Sequence, residues 1–437
     1  MDTVALITTG GTIASEDRGQ GLTPAKEGEE LIRKLQLDLY GIDNVEVHNL
    51  MNRDSSNLNW KDRLTIGQEA AKFLKRDDVR GAVITHGTDT AIITGYVMEF
   101  GLKYPTKPLV ITGSQLPFHQ IGSDGPRNLR DSFITAYRGD FADVLFCVQG
   151  HAFKIENLRE IRGYDLDGAF EPDRRQGIAK IHDSGEIEYN TRDLYLRRGR
   201  RSIGPTMMIR GDRDNGISNI TKILESREIE TAQTAIERDS KHVNTFDACF
   251  DHNGIILVDA LNPPHPYRRM VEEGEIRGVV IDGWGAGHVC MEGEDSWESF
   301  LGACQKKDIP VVMCTKFSGS VSNVYEVGRR VRSFGVIPSG DWISEGAQVR
   351  MAYINGHRDL IEGKMREYRL RRTDLWRRLW MQMYVGGIIF KSPSEEKQFI
   401  DEEKVFTQID LCSPSFLFRN SLELATRYLL SSDRSYA

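Results

Sequence analysis

Four short apolar runs punctuate the first third of the chain, and each ends in glycine or in a small polar cluster. Residues 3–8 (VALITT) run into Gly10-Gly11, and residues 81–85 (GAVIT) into His86-Gly87-Thr88-Asp89-Thr90. Residues 108–113 (PLVITG) run into Ser114, and residues 143–149 (DVLFCVQ) into Gly150. Near-continuous apolarity rich in β-branched residues is the pattern of strands buried on both faces. Between these runs the period changes. Residues 61–75 place Leu64, Ala71 and Leu74 at helical intervals, and residues 126–138 open with Pro126 ahead of Leu129, Phe133, Ile134 and Tyr137. Proline is favoured in a first helical turn, so this stretch reads as a helix start. Alternating strand and helix predicts an α/β fold built on a doubly wound parallel sheet.

The alternation lapses between about 171 and 253. Residues 197–201 (Arg-Arg-Gly-Arg-Arg) and the polar stretch 210–245 read as a long connection holding one helix near 219–237. Connections that long are uncommon inside one domain, so a boundary is placed there. Strand-like runs resume at 254–259 (GIILVD), 278–282 (GVVID) and 309–314 (IPVVMC), with helices expected at 295–307, 322–334 and 343–354. The expected organisation is a larger N-terminal domain (1–199), a connection (200–250), a smaller C-terminal α/β domain (251–358) and a C-terminal extension (359–437). The extension starts basic, and residues 374–390 then gather Trp376, Trp380, Tyr384 and Phe390 among aliphatic neighbours.

Composition narrows the classes. Of 437 residues, 39% are hydrophobic and 28% charged, ordinary for a globular protein and wrong for a disordered tail or a coiled-coil rod. The formal net charge of −7 leaves no global basic footprint, so nucleic acid is not the expected partner. The basic residues between 364 and 378 are interrupted by Glu367 and Asp374 and read as a solvated helix face. No apolar run approaches the ~20 residues of a membrane span. The N-terminus lacks a basic, cleavable leader, so the cytoplasm is the expected compartment. The six cysteines are scattered without a CxxC pair, which predicts reduced thiols and no zinc ribbon.

The chemistry sits at the strand ends. Thr9-Gly10-Gly11-Thr12-Ile13-Ala14-Ser15 turns sharply and presents the Thr12 hydroxyl just past a strand, the edge at which open α/β sheets bind ligands. It is no Walker loop, because no Gly-Lys-Ser/Thr follows. His86-Gly87-Thr88-Asp89-Thr90 puts a hydroxyl beside a carboxylate at the same edge; Asp89 suits a substrate ammonium, or alternatively a helix N-cap. Asp54-Ser55-Ser56-Asn57 has the same two readings, ligand contact or cap ahead of Trp60. Thr112-Gly113-Ser114-Gln115 and Ser123-Asp124-Gly125-Pro126-Arg127-Asn128-Leu129 complete the series.

Taken together and in this order, TGGTIAS, DSS, HGTDT, ITGSQLP and SDGPRNL resemble the bacterial-type L-asparaginase and glutaminase-asparaginase family. Its relatives include the asparaginase-like subunit of tRNA-dependent amidotransferases. Later turns continue the likeness: Gly283-Trp284-Gly285-Ala286-Gly287, Ser318-Gly319-Ser320, and Gly340-Asp341-Trp342 with Glu345. The resemblance implies a cofactor-free, metal-free amidohydrolase with threonine chemistry. Thr12 would attack a side-chain amide, Thr88 and Asp89 would assist, and Ser55, Asp54, Gly11, Gly87 and Ser114 would hold an amino-acid substrate. A homodimer or homotetramer is implied as well. The alternatives are an amino-acid-binding regulatory protein of weak or no activity, and an amidase for a peptide- or tRNA-linked amide.

Three positions depart from the family's pattern. Where a catalytic lysine is expected the alignment offers Ile161 or, with one gap, Arg162, and an arginine stays protonated and cannot serve as a base. Lys154 is the first candidate for a recruited base. The usual mobile-loop tyrosine aligns with Leu22. The glycine loop of the second domain ends in His288 rather than asparagine, read as a surface loop residue. These departures predict weak hydrolysis of free asparagine.

Overall fold

The computed structural model of the protein describes residues 2–17, 22–24, 28–103, 105–139, 141, 143–155, 158–160, 166, 169–172, 177–189, 195–196, 207–208, 244–317, 321, 325–339, 342–359 and 362. The expected helix near 219–237 and nearly all of the connection and the C-terminal extension lie outside these residues. The chain divides into two compact units between Ala248 and Cys249.

In the first unit, β1 (Thr3–Gly10), β2 (Asn44–Arg53), β3 (Val79–Thr85), β4 (Leu109–Thr112) and β5 (Val144–Val148) form a parallel sheet. The strands interleave with α1 (Trp60–Leu74), α2 (Thr88–Gly101) and α3 (Gly125–Arg138). The apolar runs become strands because both faces are covered. Val4, Leu6, Val83, Val110 and Leu145 pack with Leu129 and Phe133 of α3, while Ala5, Ile7 and Ile84 are buried on the opposite side. The start of α1 is fixed by a reciprocal cap: the Asn59 side chain accepts from the Asp62 N–H and the Asp62 carboxylate from the Asn59 N–H, each at 3.0 Å.

The sheet is not parallel throughout. β6 (His151–Lys154), β9 (Ala179–Ile181) and β10 (Ile187–Tyr189) add an antiparallel edge, giving the order β10-β9-β6-β5-β4-β3-β1-β2. A separate antiparallel pair, β7 (Leu158–Glu160) with β8 (Phe170–Pro172), lies between β6 and β9 in sequence. So the first part of the stretch where the strand–helix pattern lapses, ahead of the expected connection at 200–250, is sheet edge.

The second unit holds β11 (Ile255–Asp259), β12 (Gly278–Gly283), β13 (Val311–Thr315) and β14 (Ile337–Pro338) in one parallel sheet. Around it lie α4 (His265–Glu273), α5 (Glu298–Lys306), α6 (Glu326–Ser333) and α7 (Ser344–Gly356). Val279, Ile281, Trp297, Phe300 and Leu301 form its core. No described helix is long and apolar enough to cross a membrane. Cys147, Cys304 and Cys314 are buried free thiols, Cys249 and Cys290 exposed ones, and Cys412 lies outside the described residues.

Candidate active site

The parallel strands of the first unit run in the order β2-β1-β3-β4-β5. Chain direction across the sheet therefore reverses between β1 and β3, and the loops leaving their carboxyl ends diverge there to open a crevice. Those loops carry Thr12 and Thr88.

Glycine brings them together. Gly10 and Gly11 have φ of +104° and +81°, conformations open to residues without a Cβ. A methyl on Gly11 would strike the Gly87 backbone, and one on Gly10 the Arg53 backbone. A methyl on Gly87 would run into the Ser55 side chain, and one on Gly113 into the His86 carbonyl and the Thr88 methyl. Four strand ends thus meet backbone to backbone. Hydrogen bonds lock the contact: the Gly11 N–H donates to the Arg53 carbonyl (3.1 Å), the His86 N–H to the Thr112 carbonyl (2.8 Å) and the Thr90 hydroxyl to the Ser55 carbonyl (2.8 Å).

Thr12 opens a single 3-10 turn, Thr12–Ala14, and is half-buried. The turn is pinned by the Ser15 hydroxyl on the Gly11 carbonyl (2.8 Å) and by the Phe118 N–H on the Ile13 carbonyl (3.3 Å). Thr88 is the first residue of α2 and is buried; Asp89 follows it, exposed, in the turn where a helix favours negative charge. Gly87, not Asp89, occupies the N-cap position, so the capping reading of Asp89 fails. Asp54 does act as a cap: its carboxylate accepts from the Ser56 N–H (2.9 Å) and hydroxyl (2.7 Å). Ser55 is buried against Gly87. Ser114 is buried at the β4 end, its hydroxyl donating to the Leu116 carbonyl at 2.5 Å.

His86 positions this loop. Its Nδ1 is 2.8 Å from the Gly87 carbonyl, which can only accept, so Nδ1 carries the proton and Nε2 accepts from the Thr94 hydroxyl at 2.8 Å. Complete burial, reinforced by the Arg63 charge and opposed by the Gly87 hydrogen bond, lowers its pKa to about 4. The ring is a neutral strut at physiological pH.

Asp124 ties the fourth strand end to α3. Its carboxylate accepts from the Gln115 N–H (3.0 Å), the Leu116 N–H (3.1 Å) and Asn128 Nδ2 (2.9 Å), and Asn128 in turn donates to the Gly113 carbonyl (3.0 Å).

At the departures, Ile161 and Arg162 lie outside the described residues. Lys154 does not reach this edge. Its ammonium is 3.8 Å from the Asp143 carboxylate, and Asp143 immediately precedes β5, so the pair marks the sheet's opposite, amino-terminal edge. The reason is topological: β6 runs antiparallel to β5 and carries Lys154 back past Leu145. What meets Thr88 instead is Glu160, the last residue of β7. Its carboxylate accepts from the Thr88 hydroxyl and from Gln115 Nε2 (2.9 Å). Burial and the Asp89 charge raise its pKa, working against those two hydrogen bonds. Leu22 pairs with Asp17 in a short antiparallel hairpin after Thr12.

In the second unit the glycine loop follows β12, with Gly285 and Gly287 at φ +51° and +86°. Lys316 Nζ meets both Asp259 carboxylate oxygens at 2.5 Å and sits 4.0 Å above the Trp284 ring. His288 is half-buried rather than a surface loop residue: the backbone bridge from Trp284 folds it inward, and its ring meets Tyr325 edge-on at 5.1 Å. Ser318-Gly319-Ser320 and Gly340-Asp341 fall outside the described residues; Trp342 is buried, and Glu345 lies in the first turn of α7.

Comparison with known proteins decides the family. Residues 3–195 match the family model for the asparaginase N-terminal domain, and residues 260–366 the glutaminase/asparaginase C-terminal domain. An L-asparaginase of Thermococcus kodakarensis is 30% identical over 359 residues, 81% of this chain and 93% of the relative. The chain belongs to the asparaginase family. A glutamyl-tRNA(Gln) amidotransferase subunit of the same organism is 29% identical over 375 residues, 82% of this chain and 73% of the relative. A solved structure of the thermostable T. kodakarensis L-asparaginase superposes with a TM-score of 0.64 at 26% identity, covering 89% of this chain and all of that one. The two-unit α/β architecture is therefore that of the asparaginase fold.

Proposed function

We propose that the chain hydrolyses the side-chain amide of a free amino acid, L-asparagine or a close analogue, to the acid and ammonia. The observation that carries this reading is the Gly11–Gly87 contact, which seats the Thr12 and Thr88 loops side by side at the β1/β3 crevice with Ser55 beneath them. In this scheme Thr12 Oγ1 bonds to the amide carbon and its proton leaves on the nitrogen, so that ammonia departs and an ester remains. Water then adds to the ester carbon, the Thr12 C–O bond breaks, and the Thr12 hydroxyl is restored. Asp89 takes the substrate ammonium and Ser55 donates to its α-carboxylate, fixing the amide before the attack. Backbone N–H groups of the glycine turns face the developing oxyanion. A larger share of the L-asparaginase relative is matched than of the amidotransferase relative, which favours a free amino acid over a tRNA-linked one. A cytoplasmic homodimer or homotetramer working without metal or cofactor completes the proposal.

The test is ammonia release from asparagine and from glutamine, beside a thermal-shift titration with aspartate. Turnover with asparagine is expected. Thr12→Ala should abolish it while aspartate still binds, and Asp89→Ala should raise the aspartate Kd at least ~10-fold, about 1.4 kcal/mol. Aspartate binding without turnover in the wild type would point to the regulatory alternative. Neither binding nor turnover would direct attention to a tRNA-linked amide, the chemistry in the name of the amidotransferase relative.

A further inference from the structure

We propose that Glu160 is the proton acceptor for the Thr88 hydroxyl, so that Thr88 and Glu160 together form the basic pair of the site. The proposal rests on the amidohydrolase reading above and adds a residue to it.

Three observations converge. First, topology brings a remote residue to the crevice. Glu160 ends β7, whose pairing Leu158↔Pro172 and Glu160↔Phe170 holds the strand as one arm of a two-stranded ribbon. The carboxylate arrives at Thr88, which opens α2 more than seventy positions earlier in the chain. Second, the hydrogen-bond directions are fixed by chemistry. Gln115 Nε2 is a donor and fills one side of the carboxylate at 2.9 Å. The Thr88 hydroxyl, facing an acceptor, must point its proton at Glu160. That leaves the lone pairs of Thr88 Oγ1 turned away from Glu160. A hydroxyl so oriented is polarised for nucleophilic attack or for taking a proton from water. Third, Glu160 is half-buried, and among the described residues the charged side chain acting on it is another carboxylate, Asp89. A like charge nearby raises the affinity of Glu160 for a proton. A purely structural glutamate would be expected beside a cation. Here the described partners are two neutral donors and a like charge.

The proton path balances. In the hydrolytic half of the reaction, water oxygen bonds to the ester carbon and its proton passes to Thr88 Oγ1 as the Thr88 proton passes to Glu160. The Thr12 C–O bond then breaks, and the proton returns along the same path to leave Thr12 as the hydroxyl. No outside acid or base is consumed. Glu160 does not touch the substrate and works through Thr88, so it is a positioning residue with a proton to hold.

The variant is Glu160→Gln, which keeps the volume and the Thr88 contact but not the basicity. With asparagine, kcat should fall ~10²–10⁴-fold, the range for loss of general-base help, while KM changes less than ~3-fold. A merely structural role would move KM and thermal stability along with kcat. Glu160→Asp, which keeps the carboxylate, should recover at least ~10-fold of the loss. Wild-type kcat in Glu160→Gln overturns the proposal and leaves the amidohydrolase reading standing.

A second readout is independent of turnover. Methanesulfonyl fluoride captures an activated hydroxyl: the Thr88 O–S bond forms, the S–F bond breaks, fluoride leaves and the proton goes to Glu160. Intact-mass and peptide mapping should show Thr88 labelling slowed at least ~10-fold in Glu160→Gln and partly restored in Glu160→Asp. Equal labelling of wild type and Glu160→Gln, or none in either, overturns the proposal. If the wild type releases no ammonia from any amide yet labels Thr88 in a Glu160-dependent way, the amidohydrolase reading fails and the assignment of Glu160 stands.

Discussion

His86 shows how one side chain can set a working pH range without touching a substrate. Its ring is wedged neutral between the Gly87 carbonyl and the Thr94 hydroxyl, with its pKa lowered from 6.5 to about 4, chiefly by burial. In the unfolded chain the imidazole takes a proton near pH 6.5; in the folded protein it does so only near pH 4. Between those values the unfolded state binds more protons, so stability falls as the pH falls from about 6.5 to about 4 and is fully present above that window. A shift of this size corresponds to a loss on the order of 3 kcal/mol across it. His86→Asn keeps a donor toward Gly87 and cannot titrate. Urea unfolding across pH 4–7 should show a flatter slope for the variant than for the wild type, and parallel slopes would contradict this account. Because the ring of the folded protein stays neutral until about pH 4, the loop that carries Thr88 keeps its support across this window and should lose it only as the pH nears 4. At this scale the two glycine–threonine turns were readable from sequence, since only glycine permits such close backbone approach and a hydroxyl beyond a strand end is exposed to ligand. Glu160 was not. Nothing in Leu-Arg-Glu marks it, and an alignment on residue type points one and two positions onward, to Ile161 and Arg162.

Among the elements, legibility followed burial. β1, β3, β4 and β5 are covered on both faces, so their apolar runs are continuous and their bounds lie within two residues of those expected. β2 lies at the sheet's edge with half-exposed residues along most of its length, and its mixed sequence gives no run to notice. α2 is buried nearly all round, from Ala91 and Ile92 through Tyr96, Val97 and Phe100, so it lacks the apolar stripe by which a surface helix is recognised. The antiparallel edge strands are three or four residues long, too short for any period to register. The loop between β4 and α3 illustrates how such elements are stitched. Asp124 alone satisfies the Gln115 and Leu116 N–H groups and one Asn128 donor. Asp124→Ala would leave two backbone donors without this carboxylate, at a cost of about 1–3 kcal/mol for each group left unsatisfied. Gln115 also donates to Glu160, so the loosened loop should disturb the Thr88–Glu160 pair. The expected outcome is a lower Tm together with at least a ~10-fold lower kcat on asparagine. A lower Tm with unchanged kcat would separate the loop from the site.

Over the whole molecule, the family match ends at residue 366, and α7 ends at Gly356 with Met351, Tyr353 and Ile354 fully buried in the second unit. Among the described residues, the cores of both units are built from positions ahead of the C-terminal extension. The extension nonetheless carries Leu375, Trp376, Leu379, Trp380, Met383 and Tyr384 within ten residues. That is an apolar density which a globular protein does not leave in water, and aromatic anchors of this kind are typical of interface centres. The described cores are formed without this segment, and contact between copies of the chain is the use for it that we predict. Removing residues 367–437 should leave thermal unfolding within a few degrees of the full chain. Ammonia release per site should stay within ~3-fold, because Thr12, Thr88, Asp89 and Glu160 all belong to the first unit. Sedimentation velocity should show a smaller species than the full chain at the same concentration. If the shortened protein sediments as the same oligomer, the apolar segment serves another partner. If it unfolds, the segment is part of a core after all, which refutes this use for it.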